Sequence, residues 1–271
     1  MARPATEARY AYDNSHPSAR RHLASLSAAL DDFTIGRLTH LDLTGRRCLE
    51  IGAGRSHVPV WLAEHVGPTG LVTATDIDTT HTGTHPHLAP LRHDIVTEPI
   101  PDPPYDLIHA RLVLMHLPEP DKILARLVDA LAPGGILCVE DWHIQPAGVV
   151  LDAPSGQQRR LFAAYQHEVN QRVFQAAGSD PNWAPRIHTT MRAAGLRGVD
   201  TAIYAPVWHA GSPGLQISLT AIASHREQLL RGGLLTDADL HEVTKLVSDP
   251  DSGLVVRGHQ LYSTLGGKPH H

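Results

Sequence analysis

The chain has 271 residues, 42% of them apolar and 19% charged, which are ordinary proportions for a globular protein long enough to bury a full core. Its formal net charge of −5 argues against a general nucleic-acid-binding role, because neutralising phosphates takes a basic surface. No run approaches the ~18 consecutive apolar residues of a membrane helix, and the Met-Ala-Arg-Pro start lacks a signal peptide's apolar segment, so the expectation is a cytoplasmic protein without a membrane partner.

Residues 18–40 carry Leu23, Leu26, Leu30 and Phe33 at helical spacing and predict an amphipathic helix. Residues 46–51 form a short apolar run that ends in Gly-Ala-Gly, the pattern of a strand entering a tight turn. A helix follows with Val58, Leu62 and Val66 in register, stopped by Gly67-Pro68. Residues 71–75 give a second strand that ends on Asp76, and 90–95 and 105–110 give two more. Leu124, Leu127, Val128 and Leu131 mark a helix reaching to Pro133-Gly134-Gly135, and 136–139 is a fifth strand ending in Glu-Asp-Trp. Strands alternating with helices imply a parallel sheet covered on both faces, with ligands bound at the strands' carboxyl ends.

Beyond this the pattern is less regular. Helices are expected over 156–177, 184–194, 213–231 and 236–247, the last opened by Thr236 as N-cap, with strands over 198–207 and 254–265. With no internal repeat and no low-complexity linker, residues 1–271 read as one domain. In it, 1–40 is a helical lid, 41–145 a cofactor-binding core, and 146–271 supplies substrate-side helices and closing strands. Cys48 and Cys138 sit inside apolar runs without ligand spacing and read as buried core residues. Among 20 histidines, the cluster His81-Thr-Gly-Thr-His85-Pro-His87 lacks a rigid element to present ligands and reads as a solvated loop, so no metal is expected.

Four strand ends carry chemistry. Glycines at 52 and 54 let the first turn bend sharply and approach a ligand closely, ahead of a helix whose free N–H groups suit a carboxylate or phosphate. Asp76, ending the next strand, can accept both ribose hydroxyls of a nucleoside. In His93-Asp94-Ile95 an acid can accept the adenine amino group while the aliphatic neighbour packs on the ring, and Tyr105 to Arg111 completes the set. A dinucleotide site would want a third glycine where His57 stands, which disfavours a nicotinamide oxidoreductase.

The segments Cys-Leu-Glu-Ile-Gly-Ala-Gly, Val-Thr-Ala-Thr-Asp-Ile-Asp, Arg-His-Asp-Ile, Tyr-Asp-Leu-Ile-His-Ala-Arg-Leu-Val-Leu-Met-His-Leu-Pro and Leu-Ala-Pro-Gly-Gly-Ile-Leu-Cys-Val-Glu-Asp resemble successive motifs of class I S-adenosylmethionine-dependent methyltransferases. With Tyr-x-x-Asp-Asn at Tyr10 and Trp-x-x-Gly-Ser-Pro at Trp208, the whole resembles a small-molecule group found in actinobacteria. The resemblance implies an α/β, Rossmann-like, seven-stranded and mostly parallel sheet with an antiparallel last strand, helices on both faces and helical lid additions. It also implies S-adenosylmethionine as cofactor, with Glu50, Gly52 and Gly54 framing the methionine moiety and Asp76 on the ribose. Ile77 would pack on adenine, Asp94 and Ile95 would take its edge, and Ala110 and Arg111 would line the methionine end. Two departures stand out: Arg55-Ser56-His57 where relatives have small residues, and a stretch after Asp78 without the usual second helix's apolar spacing.

Methyl transfer is largely a matter of positioning, aided by a base of near-neutral pKa where a hydroxyl or an enol-like carbon must lose a proton. His116, Asp141, His143 and His209 follow strands and are the candidate catalytic groups, with His167 and Tyr165 on the presumed lid helix. Trp142, Trp183 and Trp208 are candidate walls of an apolar acceptor pocket. The expected function is methylation of a small molecule, plausibly a secondary metabolite and at oxygen, by a chain that could pair as a homodimer. Two alternatives are a methyltransferase-fold enzyme catalysing a non-methylating step such as cyclisation, and a binding module lacking a deep cavity.

Overall fold

A computed structural model describes residues 18–144 and 149–270; the Tyr10 stretch lies outside them. The chain runs through α1 (Ala19–Leu38), β1 (Arg47–Ile51), α2 (Val58–Val66), β2 (Leu71–Asp76), β3 (Leu88–Arg92), β4 (Tyr105–Arg111), α3 (Pro120–Asp129) and β5 (Leu131–His143). It continues through β6 (Val150–Asp152), α4 (Gly156–Glu168), α5 (Trp183–Ala193), β7 (Arg197–Tyr204), β8 (Val207–His209), α6 (Pro213–Arg231), α7 (Asp237–Ser248), β9 (Val255–Arg257) and β10 (Gln260–Gly267).

Seven strands form one sheet in the order β3-β2-β1-β4-β5-β10-β7. The first five are parallel, and β10, the last strand in sequence, is antiparallel to both β5 and β7. This is the Rossmann-like arrangement expected from the motifs. The chain runs outward from β1 to β3 and returns to β4 on the other side of β1, so the strand order reverses between β1 and β4. That switch point is where an open α/β sheet leaves a crevice at its carboxyl edge. Alternate residues of the central strands feed two cores: Leu49, Ile51 and Ile108 face one, while Cys48, Leu107 and Cys138 face the other. Both cysteines are thus buried core residues. Among the described residues, no helix is long and apolar enough to cross a membrane.

The structure departs from the sequence expectation in several places. α3 ends at Asp129, and Leu131 instead pairs with Tyr105 as the first residue of β5. The chain can leave the helix this early because the Lys268 ammonium donates to the carbonyls of Val128, Asp129 and Leu131 at 3.0, 3.1 and 2.8 Å, filling the acceptors a helix end leaves open. The helix expected over 156–177 stays α only to Glu168 and continues as a π segment, Val169–Gln175. The strand expected over 198–207 splits, because Pro206 offers no N–H to a ladder, and β8 leaves the main sheet. It joins β6 and β9 in a separate three-stranded sheet ordered β6-β9-β8, which sequence reading did not anticipate. Trp208 locks this region: a Cβ on Gly214 would come within 2.1 Å of its indole, and one on Gly258 within 2.8 Å. The expected second helix is reduced to one 3-10 turn, Thr79–His81, as the stretch after Asp78 suggested. Thr236 caps α7 as expected, in a reciprocal capping box with Asp239.

One buried polar network fastens the sheet to α1. The His109 ring in β4 lies between two carboxylates, with Nδ1 2.7 Å from Glu50 of β1 and Nε2 3.5 Å from Glu140 of β5. All three side chains are essentially inaccessible. Burial disfavours the imidazolium, but the two carboxylates outweigh it and raise the His109 pKa to about 9. Burial likewise pushes Glu140 up, and the His109 hydrogen bond and charge, with Arg111, bring it net below its ordinary value. Thr34 of α1 donates to Glu140 at 2.5 Å, and Arg111 donates to Thr34 at 2.8 Å and to Asp31 at 2.5 Å.

Replacing His109 with leucine leaves two buried carboxylates facing each other and is expected to cost about 3–5 kcal/mol, measured by urea unfolding at pH 7. Since the folded pKa lies above the ordinary 6.5, the wild-type contribution is complete below pH 6.5 and is lost as pH rises through 9. The stability difference between wild type and H109L should therefore narrow across that window.

Candidate active site

The carboxyl ends of β1, β2 and β4 and the turn after β3 open onto one cavity. Gly52 and Gly54 lie on its wall with φ of +67° and +49°. At Gly52 a Cβ would also strike Val113 at 2.4 Å, so only glycine fits the turn. Asp76 projects toward this turn, and its carboxylate accepts from the Gly54 N–H at 2.8 Å and the Asp78 N–H at 3.0 Å. Burial raises its pKa, partly offset by these hydrogen bonds. Next to it, Ile77 stands 50% exposed on the cavity wall, an apolar face available to a flat ring.

Asp94 and Ile95 reach the same cavity. The Asp94 carboxylate accepts from the Val96 N–H and the Thr97 hydroxyl, both at 2.9 Å, and so braces its own turn. Burial pushes its pKa up, and these bonds bring it net below the ordinary value. Glu50 forms the floor, where one oxygen is already committed to His109. Arg111 closes one side, joined by Leu112 and Val113. Leu112 adopts φ +54°, a left-handed conformation unusual for a branched residue and of the kind that clusters at functional sites. Ala110 is buried in the core, and the wall position passes to Leu112 and Val113.

The opposite wall comes from α1, through Leu23, Leu26 and Ser27. The Asp31 carboxylate accepts the backbone N–H of His57 at 2.8 Å, acting from α1 as a cap for α2, which has no side-chain cap of its own. This accounts for the departure at Arg55-Ser56-His57: the His57 side chain is 82% exposed with Nδ1 3.4 Å from Asp31, while Arg55 and Ser56 form part of the rim.

Of the four candidate catalytic groups, His116 reaches this cavity. Its Nδ1 lies 2.9 Å from the Ser179 hydroxyl, and burial pulls its pKa down to about 4, so the ring is neutral at pH 7. Asp141 is buried away from the wall, accepting from the Trp183 indole N–H at 2.8 Å and the Met115 N–H at 3.2 Å. Burial pushes its pKa up to about 8, leaving it largely protonated. His143 packs edge-on against Tyr262 at 5.9 Å, and His209 is exposed on β8. His167 is exposed, and the Tyr165 hydroxyl donates to the Ser218 carbonyl at 2.9 Å. Among the described residues, one group could hold a metal, namely His109, Cys138 and Glu140. His109 is already held between carboxylates there, and burial pushes the Cys138 thiol well up, which matches a core ion network.

A second cavity, of about 480 Å³, lies between α4, the π segment and α6. Trp142 and Trp208 line it, while Trp183 is a core residue tied to Asp141. Its wall also includes His259, which sequence reasoning missed. The only local signal is Gly258-His259 between two strand patterns, and it takes the antiparallel pairing of β10 with β5 to place His259 beside Trp142.

The methyltransferase domain family matches residues 20–199, two thirds of the chain. The chain belongs to that family. Methyltransferase str2 of the fungus Strobilurus tenacellus is 30% identical over 175 residues, 64% of this chain and 61% of the relative. The chain thus spans about three fifths of the length of its curated relatives. These relatives are fungal, so the resemblance reaches beyond an actinobacterial group. Among solved structures, phosphoethanolamine N-methyltransferase 2 of Haemonchus contortus, in complex with phosphomonomethylethanolamine and S-adenosylhomocysteine, superposes with TM-score 0.51 at 18% identity, covering 92% of this chain and 52% of that one. The [4+2]-cyclase SpnF gives TM-score 0.51 at 18% identity over 90% of this chain and 82% of that one. At such identities they show the shared fold.

Replacing Asp76 with alanine removes the carboxylate that faces the cavity and frees the Gly54 N–H. S-adenosylmethionine affinity is expected to fall at least about tenfold by calorimetry, the value of one good charge-assisted hydrogen bond, with the circular dichroism spectrum unchanged.

Proposed function

We propose that this methyltransferase binds S-adenosylmethionine in the larger cavity and transfers its methyl group to a small-molecule acceptor. The observation that carries this reading is the convergence, at the switch point of the sheet, of a glycine-only turn, the Asp76 carboxylate, the Asp94-Ile95 turn and Arg111 on one deep cavity. These residues fit the cofactor's parts. The glycine turn admits a close backbone approach, and Glu50 beneath it suits a cationic amine. Asp76 suits ribose hydroxyls, the exposed face of Ile77 suits a purine ring, and Asp94 with Ile95 suits its edge. When bound, the cofactor supplies an electrophilic methyl group.

The protein's own contribution is positioning and exclusion of water. Leu23 and Leu26 cover the site from α1, and His116 borders it as a neutral imidazole. Oxygen is the favoured acceptor atom; its hydroxyl must give up a proton to become a methyl ether. A secondary metabolite is the favoured acceptor class. The two adjoining cavities do not fit a binding module without a deep site.

The test is incubation with methyl-labelled S-adenosylmethionine and a panel of hydroxylated acceptors. Label in an extractable product, with equimolar S-adenosylhomocysteine, is the expected result. Conversion of an acceptor without label would instead establish a cyclase-like role. Saturating cofactor binding with neither outcome across the panel would overturn the reading.

A further inference from the structure

The cation on the wall of the larger cavity does not stand alone. Arg111 is the last residue of β4, and its side chain, 7% exposed, borders the cavity. Its Nη2 donates to Asp31 at 2.5 Å and to the Ser56 hydroxyl at 3.2 Å, and its Nη1 donates to Thr34 at 2.8 Å. A guanidinium has five N–H groups, so after these three bonds to the described residues Nε–H and one hydrogen on Nη1 are left for a ligand.

Asp31, on α1, is what holds this cation still. One of its oxygens accepts from Arg111 and from the Ser56 hydroxyl at 3.2 Å. The other accepts from the Ser27 hydroxyl at 2.5 Å and the His57 N–H at 2.8 Å. The carboxylate is thus fully occupied, and like Arg111 it is largely shielded from water. Fixing a long arginine side chain normally opposes binding by lost rotamer freedom. Here the fold fixes it before a ligand arrives, which favours affinity.

Glu50 supplies the matching opposite charge. It is the register partner of His109, and Arg111 follows His109 by two residues, so Glu50 and Arg111 project from neighbouring strands on the same face of the sheet. Both border the cavity. An acid and a cation so placed match the two charges of an α-amino acid, whose ammonium and carboxylate share one carbon. The methionine half of S-adenosylmethionine is such a group. A carboxylate at either remaining N–H of Arg111 makes a charge-assisted hydrogen bond.

We propose that Asp31 is a positioning residue for cofactor recognition: from α1 it fixes Arg111 to take the cofactor's α-carboxylate, which makes the site selective for nucleosides that carry an amino acid. This rests on the methyltransferase reading above and adds to it a role for α1 that no strand-end motif contains.

Calorimetry with two thioether nucleosides tests it. S-adenosylhomocysteine and 5′-methylthioadenosine share the adenosine and lack the sulfonium charge, and only the first carries the amino acid. Wild-type protein is expected to bind S-adenosylhomocysteine at least about tenfold more tightly, the value of one good charge-assisted hydrogen bond. Asp31→Asn keeps the shape and loses the charge, so most of that preference should vanish while 5′-methylthioadenosine keeps its affinity. A role confined to bracing the glycine turn would instead weaken both nucleosides by the same factor, and that result would overturn the proposal. Because Asp31→Asn leaves Arg111 without its counter-charge and can fail to fold, Asp31→Asn combined with Arg111→Met provides a second arm. It removes both charges together and should show no preference. A wild-type preference retained in either variant, or equal wild-type affinities for the two nucleosides, would also overturn the proposal. Equal affinities alongside label transfer would remove this proposal alone, whereas no binding of either nucleoside would remove the methyltransferase reading with it.

Discussion

The imidazolium of His109, enclosed by Glu50 and Glu140, is the interaction on which the rest of the molecule is built. Three adjacent parallel strands each contribute one ionisable group beneath the ligand crevice: Glu50 and His109 are register partners, and Glu140 reaches back from two residues further along β5. None of the three could be buried alone, because an isolated charge in an apolar interior costs more than a domain's whole stability. Together they leave one net negative charge, which Arg111 and the Thr34 hydroxyl face from above. The same network therefore holds the central strands in register and recruits the first helix.

α1 is tied to the sheet through Thr34 and to the glycine turn through Asp31, which caps α2 and pairs with Arg111. The cofactor turn is thus clamped from both sides, by glycine backbone on one and a helix-borne carboxylate on the other. Preorganisation of this kind lowers the ordering cost of binding.

Much of the fold was legible in the chain because it rests on local rules. Apolar runs ending in Gly-Ala-Gly, Asp76 and His93-Asp94-Ile95 located three strand ends, and Thr236 located a helix cap. What misled was context. Leu131 fits a helical stripe, but Lys268 caps the helix two residues earlier and frees it to pair with Tyr105. Asp141 follows the apolar run of the fifth strand in sequence, yet β5 runs on to His143 and Asp141 is turned inward to hold the Trp183 indole. His209 follows a strand too, but that strand belongs to the small second sheet.

The sequence by itself determined the order of strands and helices, the glycine-only turn and the acids at strand ends, since each depends on neighbours within a few residues. It also carried the family, through those same local motifs. Tertiary structure alone decided which histidines reach a cavity. Which ring faces a cavity depends on pairings between residues far apart in the chain, such as β10 with β5 for His259 and the π segment with the turn after β4 for His116. No local pattern encodes burial of that kind, and burial is what makes one of 20 histidines a neutral group at a cavity wall and another a buried cation.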